Sequence, residues 1–577
     1  MFRYLIAAAF GWGVLTNACW SASPALPKSA LPEPAQVAGQ LDALLSRIWT
    51  EAKIAPVSPA DDATFLRRAW LDLAGEIPPV DFVRPYLNDR DPTKRTRLID
   101  TLLSRDEVGD HWGRVLTNWT IDRRDRLEDR YDGRVLQDYF RASLKTDRPY
   151  SAMVQELITG EGAKDRSGPA NFLLRYEANP TNLAGAVGRQ FLGLSLQCAQ
   201  CHHHPFAKWT EDDFWGLAAC FGRLHVLEGA ANGQTLTAVY ETRRGELERP
   251  DMEAEANENG ERPTKKIAPR LPGEPGTVAA NRREALARWL TASDNPYFAR
   301  NTVNRVWHEL FGQRLVKSLD DLEGLTESEP RVRIMQLLAT DFTASGADLK
   351  RLLRVIVLSK PYQLASGGAA SNAKASDRTG GTDAAALRQA RLKVFAVFPV
   401  RSLAVDPLYQ SIVRGTGHIG HDEVPVEGDD AELASQPPLA AGAQLASGGD
   451  KPGNKMAGRE SMRSMPIDDR PDMPAEYTDW AGDLLGEQAL TIQRSLTLLN
   501  GGYVQEASQA GAKLAVAMRG RYRTAQIEWL FLAMLSRQPS DEEMKAMLQI
   551  QREGKGQHGM EDVVWALLNS TEFNTNH

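Results

Sequence analysis

The sequence predicts a mainly α-helical protein made of a multi-helix N-terminal module and a multi-helix C-terminal module, with a small β insertion between them. Three observations predict it. Apolar residues recur every three or four positions through most of the first 220 residues and again from Asn281. Strict alternation of apolar and polar residues is confined to the stretch between about 223 and 276. Short Pro, Asp and Gly segments punctuate the helical runs at close intervals, as helix-to-helix connections do. A chain of 577 residues with 42% hydrophobic and 25% charged residues is long enough for two or three packed domains of ordinary globular composition.

The first residues place Arg3 ahead of an apolar run from Tyr4 to Leu15, followed by small and polar residues. That pattern is expected of a signal peptide spanning 1–22, and the run is too short for the roughly 20 residues of a spanning helix. No later stretch reaches that length, so no transmembrane segment is expected after signal removal. The chain is expected to be exported, to the periplasm or the cell surface. A lipid anchor on Cys19 is disfavoured, because Thr16-Asn17-Ala18 lacks the aliphatic residue expected before such a cysteine.

The N-terminal module is expected over 36–226. In LDALLSRIWTEA, Leu41, Leu44, Leu45 and Ile48 share one helical face. A second helix opens at Asp61 or Asp62, whose carboxylates suit an N-cap, and closes toward Gly75 and Pro78. Further helices are expected at about 92–105, 107–119, 134–145 and 150–159. Leu183, Val187, Phe191 and Leu194 continue the helical spacing over 182–197, and Thr210 to Asp213 form a capping box for the next helix. Residues 227–276 are expected to hold the β insertion, with GQTLTAVYETRRGELE as a strand pair, and a polar linker. The C-terminal module is expected over 277–577, with mobile loops at 366–382 and 422–458, and with a second capping box at Ser540 to Glu543.

The formal net charge of −7 is small for this length, and no dense basic block interleaved with aromatics occurs. Nucleic acid is therefore not an expected partner. No GxSxG, HExxH or phosphate-binding glycine loop is present, so no hydrolytic or nucleotide site is indicated. The acidic pairs Asp61-Asp62, Asp212-Asp213 and Asp320-Asp321 read as helix caps or solvated turns.

The chemistry concentrates at Cys198-Ala-Gln-Cys201-His202. In covalent c-type haem attachment two thiols add to the vinyl groups, and the histidine after the second cysteine coordinates iron on the proximal face. With 4 Cys and 10 His in the chain, chance would place this spacing on the order of a few times in ten thousand such sequences. Export, which attachment requires, is indicated separately by the leader. A second reading is zinc or another metal on Cys198 and Cys201, completed by Cys220, His225 or one of His202, His203 and His204. A third is a Cys198–Cys201 disulfide beside solvated histidines, with Cys220 as a small core residue.

His203 and His204 follow the proposed ligand too closely to reach the opposite haem face. His204 suits a hydrogen bond to a propionate, a tuning role beside His202, or an alternative metal site. A sixth iron ligand would come from elsewhere, with Met252, His225 and His308 as candidates and Met462, Met465 and Met473 in polar text behind them. His308, in Val306-Trp-His-Glu-Leu, also reads as a partly buried helix residue.

Several long stretches resemble one family. These are ADDATFLRRAWLDLAGEIPP (60–79), DRPYSAMVQELITGEG (147–162), FLGLSLQCAQCHHHPFAKWTEDDFWGLAACF (191–221), RREALARWLTASDNPYFARNTVNRVWHELFG (282–312) and ALLNSTEFNTNH (566–577). Together they resemble the planctomycete-type surface cytochrome proteins, which pair N- and C-terminal modules of unknown function in exported bacterial proteins. The resemblance implies haem attachment through Cys198, Cys201 and His202, and it extends to His204, Pro205, Phe206 and Trp209. The chain departs from that pattern at His203, where the family carries Asp, and at Cys220, where it carries an aromatic residue. HWGRVLTNW (111–119) departs from the family's His-Trp-Leu-Asp run. Because one haem needs only about 100 residues to bury it, the remaining chain is expected to bind a redox partner or a substrate. The other function classes carried by the residues are a non-redox surface or substrate-binding protein with a structural metal, and an enzyme using the three histidines.

Overall fold

The computed structural model describes residues 31–121, 130–203, 208–231, 234–250, 254–255, 257, 262–274, 276–278, 280–316, 322, 325, 329–367, 382–418, 502–520, 522–554 and 558–577. The expected leader at 1–22, the loop at 422–458 and nearly all of that at 366–382 lie outside these residues, as do Asp320 and Asp321.

The protein is mainly α with a small β component. The first seven helices are α1 (Pro34–Glu51), α2 (Asp62–Ala74), α3 (Val80–Asn88), α4 (Lys94–Leu103), α5 (Asp106–Thr120), α6 (Gly133–Lys145) and α7 (Tyr150–Thr159). The bounds of α2, α4, α5, α6 and α7 fall within about two residues of those read from the sequence, whereas α3 is not among the expected helices. Asp61 caps α2, its side chain accepting from Thr64 N at 2.8 Å, and Gly75 ends the helix with φ +71°. After β1 (Gly162–Ala163) come α8 (Gly168–Arg175) and α9 (Pro180–Val187). The helix expected over 182–197 stops at Val187, passes through a π turn (Gly188–Leu192) and breaks at Gly193, whose φ is +64°. Asn301 explains the break: it donates to the Gln190 carbonyl at 2.6 Å and packs where a side chain on Gly193 would stand.

Helix α10 (Glu211–Ala219) leads to β2 (Leu224–Ala231), β3 (Gln234–Glu241), β4 (Leu247–Pro250) and β5 (Thr264–Ile267). The alternating text at 234–241 is a strand, but it pairs backward with β2 in an antiparallel hairpin from Leu224↔Glu241 to Ala231↔Gln234. β4 pairs with β5, which arises from the end of the polar run. The first sheet has the order β1-β3-β2.

The C-terminal part contains α11 (Arg282–Leu290), α12 (Phe298–Phe311), α13 (Pro330–Ala344), α14 (Leu349–Leu358), α15 (Lys360–Gln363), α16 (Thr382–Lys393), β6 (Arg401–Ser402) and α17 (Val405–Thr416). It ends with α18 (Gly502–Arg519), α19 (Arg523–Leu535), α20 (Asp541–Glu553), α21 (His558–Leu568), α22 (Thr571–Asn574) and β7 (Thr575–Asn576). The Ser540/Glu543 capping box opens α20 as expected.

One hydrophobic core runs through both halves, joining Leu41, Phe65, Trp112, Phe172 and Phe214 to Trp307, Phe311, Ile356 and Phe398. A second core packs α17 to α22 around Leu408, Ile412, Ile527, Leu530 and Val563 and meets α2 through Leu71. Buried guanidinium groups fasten these parts together. Arg67 donates to the carbonyls of Met534 (2.7 Å) and Phe573 (2.9 Å), and Arg68 to those of Leu364 (2.8 Å) and His577 (3.0 Å). Arg283 reaches the Ile158 carbonyl at 3.2 Å and the carboxylates of Glu161 and Glu241, both at 2.8 Å. Such fixed forks hold several acceptors at once, which suits arginine to buried junctions.

Candidate functional site

The site grows out of the broken helix after α9. Leu196–Gln200 form one turn of 3-10 helix, in which residues three apart lie on the same edge. Leu196 and Ala199 take the inner edge and are fully buried. Cys198 and Cys201 take the outer edge, where both thiols are free and exposed. Burial of the first pair thus presents the second pair side by side to solvent.

Two contacts hold the turn against α10. Trp215 Nε1 donates to the Gln200 carbonyl at 3.0 Å, and Arg249 covers the Trp215 ring while pairing with Glu211. Thr210 and Asp213 form the expected capping box, with Asp213 N bonding Thr210 Oγ1 at 3.1 Å and Thr210 N bonding Asp213 Oδ2 at 2.9 Å. Asp212-Asp213 is therefore a structural pair at a helix start.

His202 is exposed, and its Nδ1 lies 2.7 Å from the His203 carbonyl oxygen. A carbonyl only accepts, so Nδ1 carries the proton and the lone pair of the neutral ring stays on Nε2. His203 has the complementary arrangement, because its Nδ1 accepts the Glu211 backbone N–H at 3.2 Å and so caps the first turn of α10. This role for His203 was not legible in the sequence, since it depends on the loop folding back onto the helix.

Haem attachment asks for two accessible thiols on one edge and a histidine with a free Nε2, oriented through Nδ1. Cys198, Cys201 and His202 fit those needs. Cys220 does not join them. It closes α10 in the core with Sγ 3.6 Å from the Gly216 carbonyl, and burial pushes its thiol up to about 12. Among the described residues Cys220 is not brought beside Cys198 and Cys201, so it does not complete a tetrahedral set with them, contrary to the expectation from the sequence. Among the described residues, no group of three or more His, Cys, Asp or Glu side chains is placed to hold a metal ion.

His225 lies exposed on β2, its ring tilted against Tyr240 at 5.8 Å. His308 lies on α12, where burial and nearby guanidinium groups hold its imidazole down to about 4. His204, Met252, Met462, Met465 and Met473 lie outside the described residues. None of the described helices is long and apolar enough to cross a membrane.

Fold and site together define a mainly helical protein that presents an exposed CxxCH turn between α9 and α10. Residues 40–226 match the family PSCyt2, described as a protein of unknown function (DUF1549), and residues 282–418 match PSD1, described as a protein of unknown function (DUF1553). The two matches follow the order of the paired modules that the sequence resembles. Neither the curated proteins nor the solved structures yield a match to the chain.

Proposed function

We propose that this is an exported c-type cytochrome-like protein carrying one haem c covalently on Cys198 and Cys201, with His202 as the proximal ligand. It would act in electron transfer with a redox partner protein in the periplasm or at the cell surface. The observation that carries the reading is the 2.7 Å contact between His202 Nδ1 and the His203 carbonyl, which fixes the tautomer a proximal ligand needs. Bound there, the haem supplies a one-electron iron couple.

The chain's own residues do the remaining work. The 3-10 turn holds the thiols on one edge, Trp215 anchors the turn, and His203 fixes the orientation of His202. In this reading His204 hydrogen-bonds a propionate or tunes the ligand. Exposure of the motif keeps the group within reach of a partner. A structural zinc or other metal in a non-redox surface or substrate-binding protein is the competing reading. It loses support with Cys220 buried in the core.

The deciding experiment is the absorbance spectrum of protein exported from a host with haem-maturation machinery. A reduced α-band of the c type, with peroxidase staining that survives denaturing electrophoresis and is lost in Cys201→Ser, is the expected result. A colourless protein from that host overturns the proposal. Stoichiometric zinc abolished by Cys198→Ser would establish the competing reading instead.

A further inference from the structure

We infer that a second site, independent of the CxxCH turn, lies between α5 and α12 and binds a small oxyanion, a carboxylate or phosphate group. Helix α5 contributes His111 and Arg114, three residues apart and so on one helical face. Helix α12 contributes His308 and Glu309, and Arg401 of β6 donates to the Glu309 carbonyl and to Asp72 Oδ1. Trp119 of α5 ties the walls together by donating from Nε1 to Glu309 Oε1 at 2.9 Å. His111 is seated against the end of α2, where a Cβ built on Gly75 would stand 2.4 Å from its Nδ1.

Three polar atoms here are buried with no hydrogen-bond partner: Arg114 Nε, Arg401 Nε and His308 Nδ1. The two guanidinium nitrogens can only donate, and buried donors are almost always paired, so the site lacks an acceptor. His111, Arg114 and His308 nevertheless keep partial solvent contact, so a small ligand can reach them.

The surrounding charge decides its sign. Burial holds the His111 imidazole down to about 3, with Arg114 and Arg401 adding to the effect. At His308 burial acts together with Arg314, Arg401 and Arg305. The carboxylates present are already engaged: Asp72 accepts from Tyr362, Arg401 and Asn576, and Glu309 accepts from Trp119. A cation beside His111 would meet the guanidinium groups of Arg114 and Arg401. An oxyanion would meet unpaired donors in a partly desolvated setting, where charge-assisted hydrogen bonds are strongest.

The test is calorimetric titration of the full chain with inorganic phosphate and, separately, with acetate, alongside melting with and without each. Binding of either, weakened about tenfold or more by Arg114→Gln, is expected from the loss of a charge-assisted contact. Phosphate alone would assign a phosphoryl ligand and acetate alone a carboxylate. Arg166→Gln, at a side chain 85% exposed elsewhere, controls for net charge and leaves binding unchanged. Cys201→Ser also retains binding, which separates this site from the haem reading. His308→Gln, on the opposite wall, serves as the second probe if Arg114→Gln lowers the melting temperature by itself. The inference is overturned if neither anion binds, or if both wall variants bind as the parent does.

Discussion

The Tyr362 hydroxyl donates to Asp72 Oδ2 at 2.7 Å across 290 residues of sequence, deep in the core. Asp72 Oδ1 accepts from Asn576 Nδ2 at 2.8 Å and from Arg401, so one carboxylate joins α2, α15, β6 and β7. Tyr362→Phe leaves Oδ2 without this donor while the other contacts remain. Chemical denaturation should show a loss of about 1–2 kcal/mol with no change in m-value.

Gly75 has φ +71°, and a Cβ there would stand 2.4 Å from His111 Nδ1. Gly75→Ala therefore combines a left-handed alanine with displacement of a packed ring. Its melting curve should correspond to a loss of about 2 kcal/mol or more. A neutral effect would mean that the His111 ring moves freely.

Acid should destabilise the fold in two windows. Glu543 is held down to about 2, from an ordinary value of 4.5, first by the hydrogen bond from Arg537. Its contribution is complete above about 4.5 and is lost as pH falls toward 2. In Glu543→Gln, the stability profile should flatten across that range. His111 is held at about 3, from an ordinary 6.5, mainly by burial. The unfolded chain then binds the extra proton, so stability falls as pH drops from 6.5 toward 3. His111→Gln should reduce that slope, leaving the part contributed by His308, which is held at about 4.

Cys220→Ala should leave metal content, pigment and thiol accessibility at Cys198 and Cys201 unchanged, because Cys220 is buried apart from the exposed pair. The small cavity should cost about 1 kcal/mol, read by thermal melting. Loss of bound metal in this variant would restore Cys220 as a ligand.

Thr210→Ala removes the hydroxyl that accepts from Asp213 N. About 1 kcal/mol of stability should be lost, and faster amide exchange in the first turn of α10 should accompany it. His203 keeps its bond to Glu211 N, so the helix start should loosen without unravelling.

The sequence by itself determined the helical class, the caps at Asp61, Thr210 and Ser540, and the CxxCH triplet. These rest on periodicity, local hydrogen bonding and close spacing, all of which act within a few residues. Tertiary structure decided what depends on distant partners. Packing of Asn301 against Gly193 turned the expected helix over 182–197 into a π turn and a 3-10 turn, which set Cys198 and Cys201 on one solvent edge. Packing also sent Cys220 into the core, gave the His203 ring a capping role, and brought His111 and His308 around Arg401 from 111, 308 and 401 in the chain. No local pattern encodes these last relations, because they arise only where separate helices close on a shared core.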